Sequence, residues 1–189
     1  MTGPLRFDPA NHRYTVGGQR VISITQLLTV SGEVDDSYFT VEGSERGTAV
    51  HKLAADYDMG AVDLATDGGV YRPYLLAYAK AMSLLPHEWS HIEEMFVSRP
   101  LRFAGTPDRV GIVRGAVSVL DIKTGPFSKS HQIQTALQAI LVADEVKLPP
   151  ELVQRYVAYA MPSGKFKVEF NTDPRDFSKA RDLIQRFAR

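Results

Sequence analysis

The residues in this chain whose types and spacing could do chemistry are Asp108, Asp121 and Lys123, set on either side of a turn signal at Arg114-Gly115. The flanking segments, about Gly105 to Val113 and Ala116 to Lys123, read as strands, and a two-residue turn between them would place Asp108 opposite Asp121. Side chains alternate along a strand, so Asp108, Val110 and Ile112 are expected on one face with Val117, Val119, Asp121 and Lys123. Opposed Cβ atoms lie roughly 4.5–5.5 Å apart, and like charges so placed repel. A divalent cation answers that repulsion, because magnesium favours one or two carboxylates and keeps positions for water and a phosphate oxygen. An ammonium on the same face could stabilise charge developing at a phosphorus under attack, or orient or deprotonate the attacking water. The ion would add Lewis acidity. Such a set is suited to hydrolysing phosphodiesters. Two plainer arrangements stand beside it: a surface hairpin end where Lys123 neutralises two solvated acids, and a one-residue bulge that sends one acid to the other face.

The rest of the chain bounds what could carry such a site. With 189 residues and 44% hydrophobic composition, one domain spanning residues 1–189 is expected. Lys plus Arg and Asp plus Glu each total 22, so attraction to nucleic acid must come from a local basic surface or a bound metal. The absence of cysteine excludes disulfides, thiolate zinc sites, cysteine nucleophiles and iron–sulfur clusters. Any metal must therefore take oxygen or imidazole ligands. The first residues carry no apolar core of signal-peptide length, and no later run is long enough to span a membrane. A soluble, cytoplasmic protein without a membrane partner is the expectation.

The elements that must position the site follow from periodicity and breakers. Leu5 to Ile22 reads as short strands interrupted at Asp8-Pro9 and Gly17-Gly18. A short helix follows, with Ser23 as N-cap and Ser31-Gly32 as its end, then a polar stretch from Glu33 to Ser44. Val50, Leu53, Ala54 and Tyr57 recur at helical spacing within about Glu45 to Tyr57, and a further helix runs from about Tyr71 to Leu85. Strands are expected at about Ile92 to Ser98, Gly105 to Val113 and Ala116 to Lys123, then a helix over about Lys129 to Glu145. A last hairpin, about Val153 to Ala160 and Phe166 to Phe170, precedes a C-terminal helix opened by Pro174. Strands flanked by helices in this order indicate an α/β or α+β fold with a central mixed sheet.

Gly105-Thr106-Pro107-Asp108 followed by Asp121-Ile122-Lys123-Thr124-Gly125 resembles the PD-(D/E)XK nuclease superfamily, in detail its RecB-like and phage exonuclease branch. Arg46-Gly47-Thr48-Ala49-Val50-His51 is similar to the Gly-x-x-x-His helix of that branch, and Gln134 to the first residue of its Gln-x-x-x-Tyr motif, although Gln138 stands where tyrosine is usual. The resemblance runs from about Arg46 to Gln138, and Phe7-Asp8 through His12-Arg13-Tyr14 is similar to the opening of many phage members. It implies a restriction-endonuclease-like core in which Asp108 and Asp121, with the carbonyl of Ile122 and with His51, bind magnesium or manganese while Lys123 is catalytic. Gly47, one turn before His51, would leave space beside the imidazole for an ion or backbone. A glutamate before the Gly-Thr-Pro-Asp turn is common in the branch. Alternation lets only one of Glu93 and Glu94 face the centre, and the resemblance implies Glu93, whose spacing to Gly105 is that of the branch. Gln134 and Gln138, one helical turn apart, could orient the lysine or a phosphate, with His131 nearby.

What the resemblance implies about activity is a metal-dependent DNA exonuclease of the kind that processes phage DNA ends for recombination or repair. DNA contacts would fall to Arg109, Lys129, Lys165 and Lys167. A homo-oligomer or a phage recombination protein is the further partner it implies. A structure-selective endonuclease with the same centre and a catalytically silent nucleic-acid-binding protein of the same fold are the alternatives, and Asp108, Asp121 and Lys123 together argue against the silent one.

Overall fold

The computed structural model describes residues 1–9, 11, 13–34 and 40–188, so His12 and part of the polar stretch before the second helix lie outside the described residues. Strands β1 (Leu5–Asp8), β2 (Arg13–Val16) and β3 (Gln19–Ser23) form an antiparallel meander. Its last strand feeds directly into helix α1 (Ile24–Val30), because Ser23 is both the strand end and the helix cap. The Ser23 Oγ accepts from the Gln26 backbone N–H while the Gln26 side chain accepts from the Ser23 N–H, each at 3.1 Å. Helices α2 (Val41–Asp58) and α3 (Arg72–Ser83) follow.

The chain then builds two sheets in alternation. Strand β4 (His87–Ile92) belongs to one sheet, β5 (Phe96–Ser98) and β6 (Phe103–Gly105) to the other, and β7 (Arg109–Val113) and β8 (Ala116–Lys123) return to the first. After α4 (Lys129–Val146), β9 (Gln154–Ala160) and β10 (Phe166–Asn171) complete it, and α5 (Arg175–Phe187) ends the chain. The two five-stranded sheets have the orders β1-β2-β3-β6-β5 and β10-β9-β8-β7-β4. Strands β8 and β9 are parallel, which requires a crossover, and α4 supplies it. The result is a mixed α+β fold whose sheets are flanked by five helices.

The alternation of β8 assigns its two faces. Val119 packs with Val110 against Ile133, Leu137, Ile140 and Leu141 of α4, in a core that α1 and α5 also enter. Leu120 and Ile122 point the other way, onto Ala54 of α2 and Tyr78 and Met82 of α3. Burying a side chain of this size contributes about 1.5–3 kcal/mol, and a slip of one residue would exchange the two apolar sets and carry Asp121 to the opposite face. No helix among the described residues is long and apolar enough to cross a membrane.

The structure revises three expectations. The span Ile92 to Ser98 is not one strand: Glu93 has φ 51°, the pleat breaks there, and the chain passes from β4 to β5 in the other sheet. Gly105 to Val113 is likewise divided at Thr106-Pro107-Asp108, and the Tyr14 hydroxyl braces this break through a 2.7 Å hydrogen bond to Thr106 Oγ1. Ile112, expected on the apolar face, is 41% exposed. The Arg114-Gly115 turn itself holds. Both residues have positive φ, and Val113 pairs with Ala116, Val110 with Val119 and Arg109 with Leu120. A bulge exists, but on β4, between Trp89 and His91.

Gly111 sits against that bulge. A Cβ there would meet the Glu88 carbonyl oxygen at 2.1 Å and Trp89 Cα at 2.8 Å, both backbone atoms that cannot rotate away. Gly111→Ala is expected to cost about 3 kcal/mol or more by forcing β4 off β7. A urea melt checks this, and a midpoint equal to that of the parent would show that β4 does not approach so closely.

Candidate metal centre

Three side chains from separate elements converge beyond the end of β7. Asp108 lies one residue outside the strand, where the ladder has stopped, and its Oδ2 accepts the Ile122 backbone N–H of β8 at 2.6 Å. Its Oδ1 lies 3.3 Å from Nδ1 of His51, on α2. Glu93, at the break after β4, is fixed by its backbone N–H donating to the Asp108 carbonyl at 3.0 Å and puts Oε1 3.7 Å from the same imidazole nitrogen. One ligand atom from each of His51, Glu93 and Asp108 lies within 4.8 Å of the others.

The imidazole is oriented from its far side. His51 Nε2 is 3.1 Å from the Ile122 carbonyl oxygen. With the Nε2 hydrogen donated there, the neutral ring turns the Nδ1 lone pair toward the two carboxylates, as a metal ligand would. Without a cation, the Asp108 carboxylate holds the His51 pKa well above its ordinary value against the opposing effect of burial. Burial works against the charged form of Asp108, but the His51 and Lys123 charges and the Ile122 N–H outweigh it and leave its pKa below the usual value. A proton on His51 thus holds the place of a positive ion.

Asp121, expected to share the ion with Asp108, stands beside this trio rather than within it. Its Oδ1 accepts from the Gln134 side chain at 2.7 Å and the Gln138 side chain at 3.0 Å, both on α4. Its Oδ2 is 2.8 Å from Lys123 Nζ, an ion-pair contact without a hydrogen bond. Burial raises the Asp121 pKa, tempered by the neighbouring Lys123 charge. Lys123 Nζ also donates to Gln134 Oε1 at 2.9 Å, so one glutamine amide ties the acid and the ammonium together. Gln138, in the position where the resemblance expects tyrosine, is 2% exposed and holds the same carboxylate.

The remaining expected residues divide. Glu93 is drawn into the centre, whereas the 59% exposed Glu94 side chain turns away to His91, 2.5 Å from its Nδ1. The Ile122 carbonyl is engaged by His51. A Cβ on Gly47 would meet nothing within 4 Å, so the space beside that turn of α2 is open. Arg109 requires a correction. It is fully buried, its Nε donates to Asp58 Oδ2 at 2.5 Å and its Nη1 to Glu93 Oε1 at 3.1 Å, so it cannot reach DNA at a surface. A buried guanidinium needs such partners, and Asp58, itself held by the Tyr78 hydroxyl at 2.6 Å, supplies the main one. Lys129, Lys165 and Lys167 are exposed, with Lys167 paired to Glu169 at 2.5 Å. His131 Nδ1 lies in hydrogen-bond contact with the Tyr159 hydroxyl at 3.0 Å.

Asp58, Tyr78 and Tyr159 escaped the sequence reading. Asp58 closes α2, and no spacing rule links it to Arg109. Tyr159 lies opposite Lys123 only because β9 is parallel to β8, in a register that pairs the two residues.

The donor set, one imidazole and two carboxylates with no sulfur, fits a hard divalent cation. No protein-family model matches the sequence, and no curated protein matches it. Among solved structures, the fold is similar to that of a candidate exonuclease from Eubacterium rectale. The match has a TM-score of 0.54 and 10% identity, and covers 88% of this chain and 78% of that one. A second structure, of SSO0001, aligns over 73% of this chain and 75% of that one at 15% identity, but its TM-score of 0.30 carries no argument. The chain thus shares its mixed α/β fold with a remote structural relative.

Proposed function

We propose that the chain is a divalent-metal-dependent DNA nuclease of the PD-(D/E)XK type, in its RecB-like and phage exonuclease branch, acting on DNA ends. The observation that carries this reading is the convergence of His51, Glu93 and Asp108 within 4.8 Å, immediately beside the Asp121–Lys123 pair. Magnesium or manganese held by these three side chains would supply Lewis acidity toward a phosphate oxygen and toward water. The chain's own groups do the rest. Glu93 and Asp108 provide the charge that recruits the ion, and Ile122 fixes both Asp108 and His51 through its N–H and C=O. Asp121 and Gln134 hold the Lys123 ammonium at one place, ready to stabilise charge on phosphorus or to orient the incoming water. Gln134 and Gln138 keep Asp121 from rotating. Lys129, Lys165 and Lys167 are the surface cations available to a DNA backbone.

The test incubates the protein with end-labelled linear DNA and with closed circular DNA, in magnesium, manganese or chelator. Degradation of the linear form alone, lost in chelator and in Asp121→Ala, is the expected result. Cutting of circles would turn the reading to an endonuclease. Binding without cleavage at either metal would remove the enzyme and leave a DNA-binding protein of this fold.

A further inference from the structure

A groove of about 440 Å³ opens next to Lys123, running from Arg46 and Thr124 past Tyr159 to the β9–β10 hairpin. One wall is Phe127, on the loop between β8 and α4. Its ring is 52% exposed and lies 6.4 Å, centroid to centroid, from the ring of Tyr159. Tyr74 and Met161 complete an apolar lining, with Met161 also 36% exposed. Arg46 lies at the end nearest the metal centre. Its Nε donates to Thr124 Oγ1 at 3.4 Å, and it has no carboxylate partner among the described residues.

These features are hard to reconcile with packing alone. An aromatic ring left half in solvent on a short loop forfeits burial, and a cation with no counterion among the described residues at the mouth of a largely apolar groove invites an anion. The Tyr159 hydroxyl is held by His131, whose pKa burial and the Lys123 charge push down to about 4, and the Lys167–Glu169 ion pair also lines the groove. A flat apolar surface beside a guanidinium that pairs with no carboxylate among the described residues, and beside the Lys123 ammonium, is complementary to a nucleotide, which joins a planar base to an anionic phosphate. A base inside a duplex has its faces covered by its neighbours. The base that enters must therefore be unpaired.

We propose that this groove seats the unpaired base of a nucleotide adjoining the scissile phosphate, stacked on Phe127, with its phosphate on Arg46. The substrate is then a single strand or a frayed end. This rests on the nuclease reading above.

The test is a thermodynamic cycle in the Lys123→Ala background, in which cleavage is expected to be slowed roughly 10²–10⁴-fold. Affinity for short single-stranded DNA in magnesium is measured by anisotropy, with an intact base or an abasic site at each position near the labelled end. Phe127→Ala is expected to weaken binding of the intact strand roughly tenfold. One abasic position should weaken the parent by a similar factor and leave Phe127→Ala unaffected, because the two changes remove the same contact. Phe127→Trp should restore affinity. If Phe127→Ala binds intact and abasic strands as the parent does, or loses affinity equally at every position, the subsite is overturned while the nuclease reading stands. If the protein neither binds nor cuts DNA, both fall.

Discussion

Lys123→Ala is expected to lower DNA cleavage roughly 10²–10⁴-fold while metal binding and the fold persist. The lysine is the side chain on β8 with an ammonium at the edge of the trio, 21% exposed, and tied to Asp121 Oδ2 at 2.8 Å and Gln134 Oε1 at 2.9 Å. Among the described residues its hydrogen bond and ion pair go to Gln134 and Asp121, so its loss leaves the donor atoms of His51, Glu93 and Asp108 in place while removing a charge that helps lower the Asp108 pKa. It does leave Asp121 buried without its ion-pair partner. That carboxyl, already raised by burial, would take up a proton more readily, which limits the damage to stability. Rate on linear DNA and a manganese titration by calorimetry, made on the same preparation, separate the two effects. Cleavage within a few-fold of the parent would remove Lys123 from the chemistry. Loss of metal binding in step with rate would show that its role lies in holding the ion site together.

Asp108→Asn should act at the opposite step. The amide oxygen can still accept the Ile122 N–H at the position of Oδ2, so the join between β7 and β8 is kept. The amide NH₂ then faces His51 Nδ1 where a carboxylate oxygen stood, and a donor replaces a ligand. Removing an outer partner of a metal ligand commonly costs 10–100-fold in affinity, and losing a ligand should cost at least about 100-fold here. Cleavage falls with it. The same variant has a signature in the metal-free protein. The Asp108 charge is the main cause of the raised His51 pKa, so an NMR titration should find the imidazole above its ordinary value in the parent and well below that position in Asp108→Asn. The sign for metal binding follows. Protonated His51 competes with the cation, so in the parent affinity should climb about tenfold per pH unit until pH passes the raised pKa, then level off. An unchanged titration of His51 and unchanged manganese affinity in Asp108→Asn would dissolve the proposed centre.

Much of this was written into the order of residues. The turn at Arg114-Gly115, the two faces of β8, the Ser23 cap and the extent of α4 follow from local rules, since turn chemistry, alternation and capping act over only a few residues. The choice of Glu93 over Glu94 also came from spacing, though alternation is not why it points inward. The chain leaves the strand at Glu93, and its positive φ together with the bond to the Asp108 carbonyl aims the side chain. The site was legible as a set of residues and not as an arrangement. Adjacent sequence placed Asp121 with Asp108 and said nothing of the two amides by which α4 holds Asp121, or of how closely α2 brings His51 to Asp108. The burial of Arg109 was equally hidden, because it depends on Asp58 at the end of a distant helix. Hidden in the same way was the nearness of Phe127 and Tyr159, which needs the parallel pairing of β9 with β8. Local preference and periodicity decide which elements form, because their energies are set within a turn or a pair of strands. Which side chains share an ion, a proton or a groove is decided by packing between elements far apart in the chain, and only the tertiary structure fixes that.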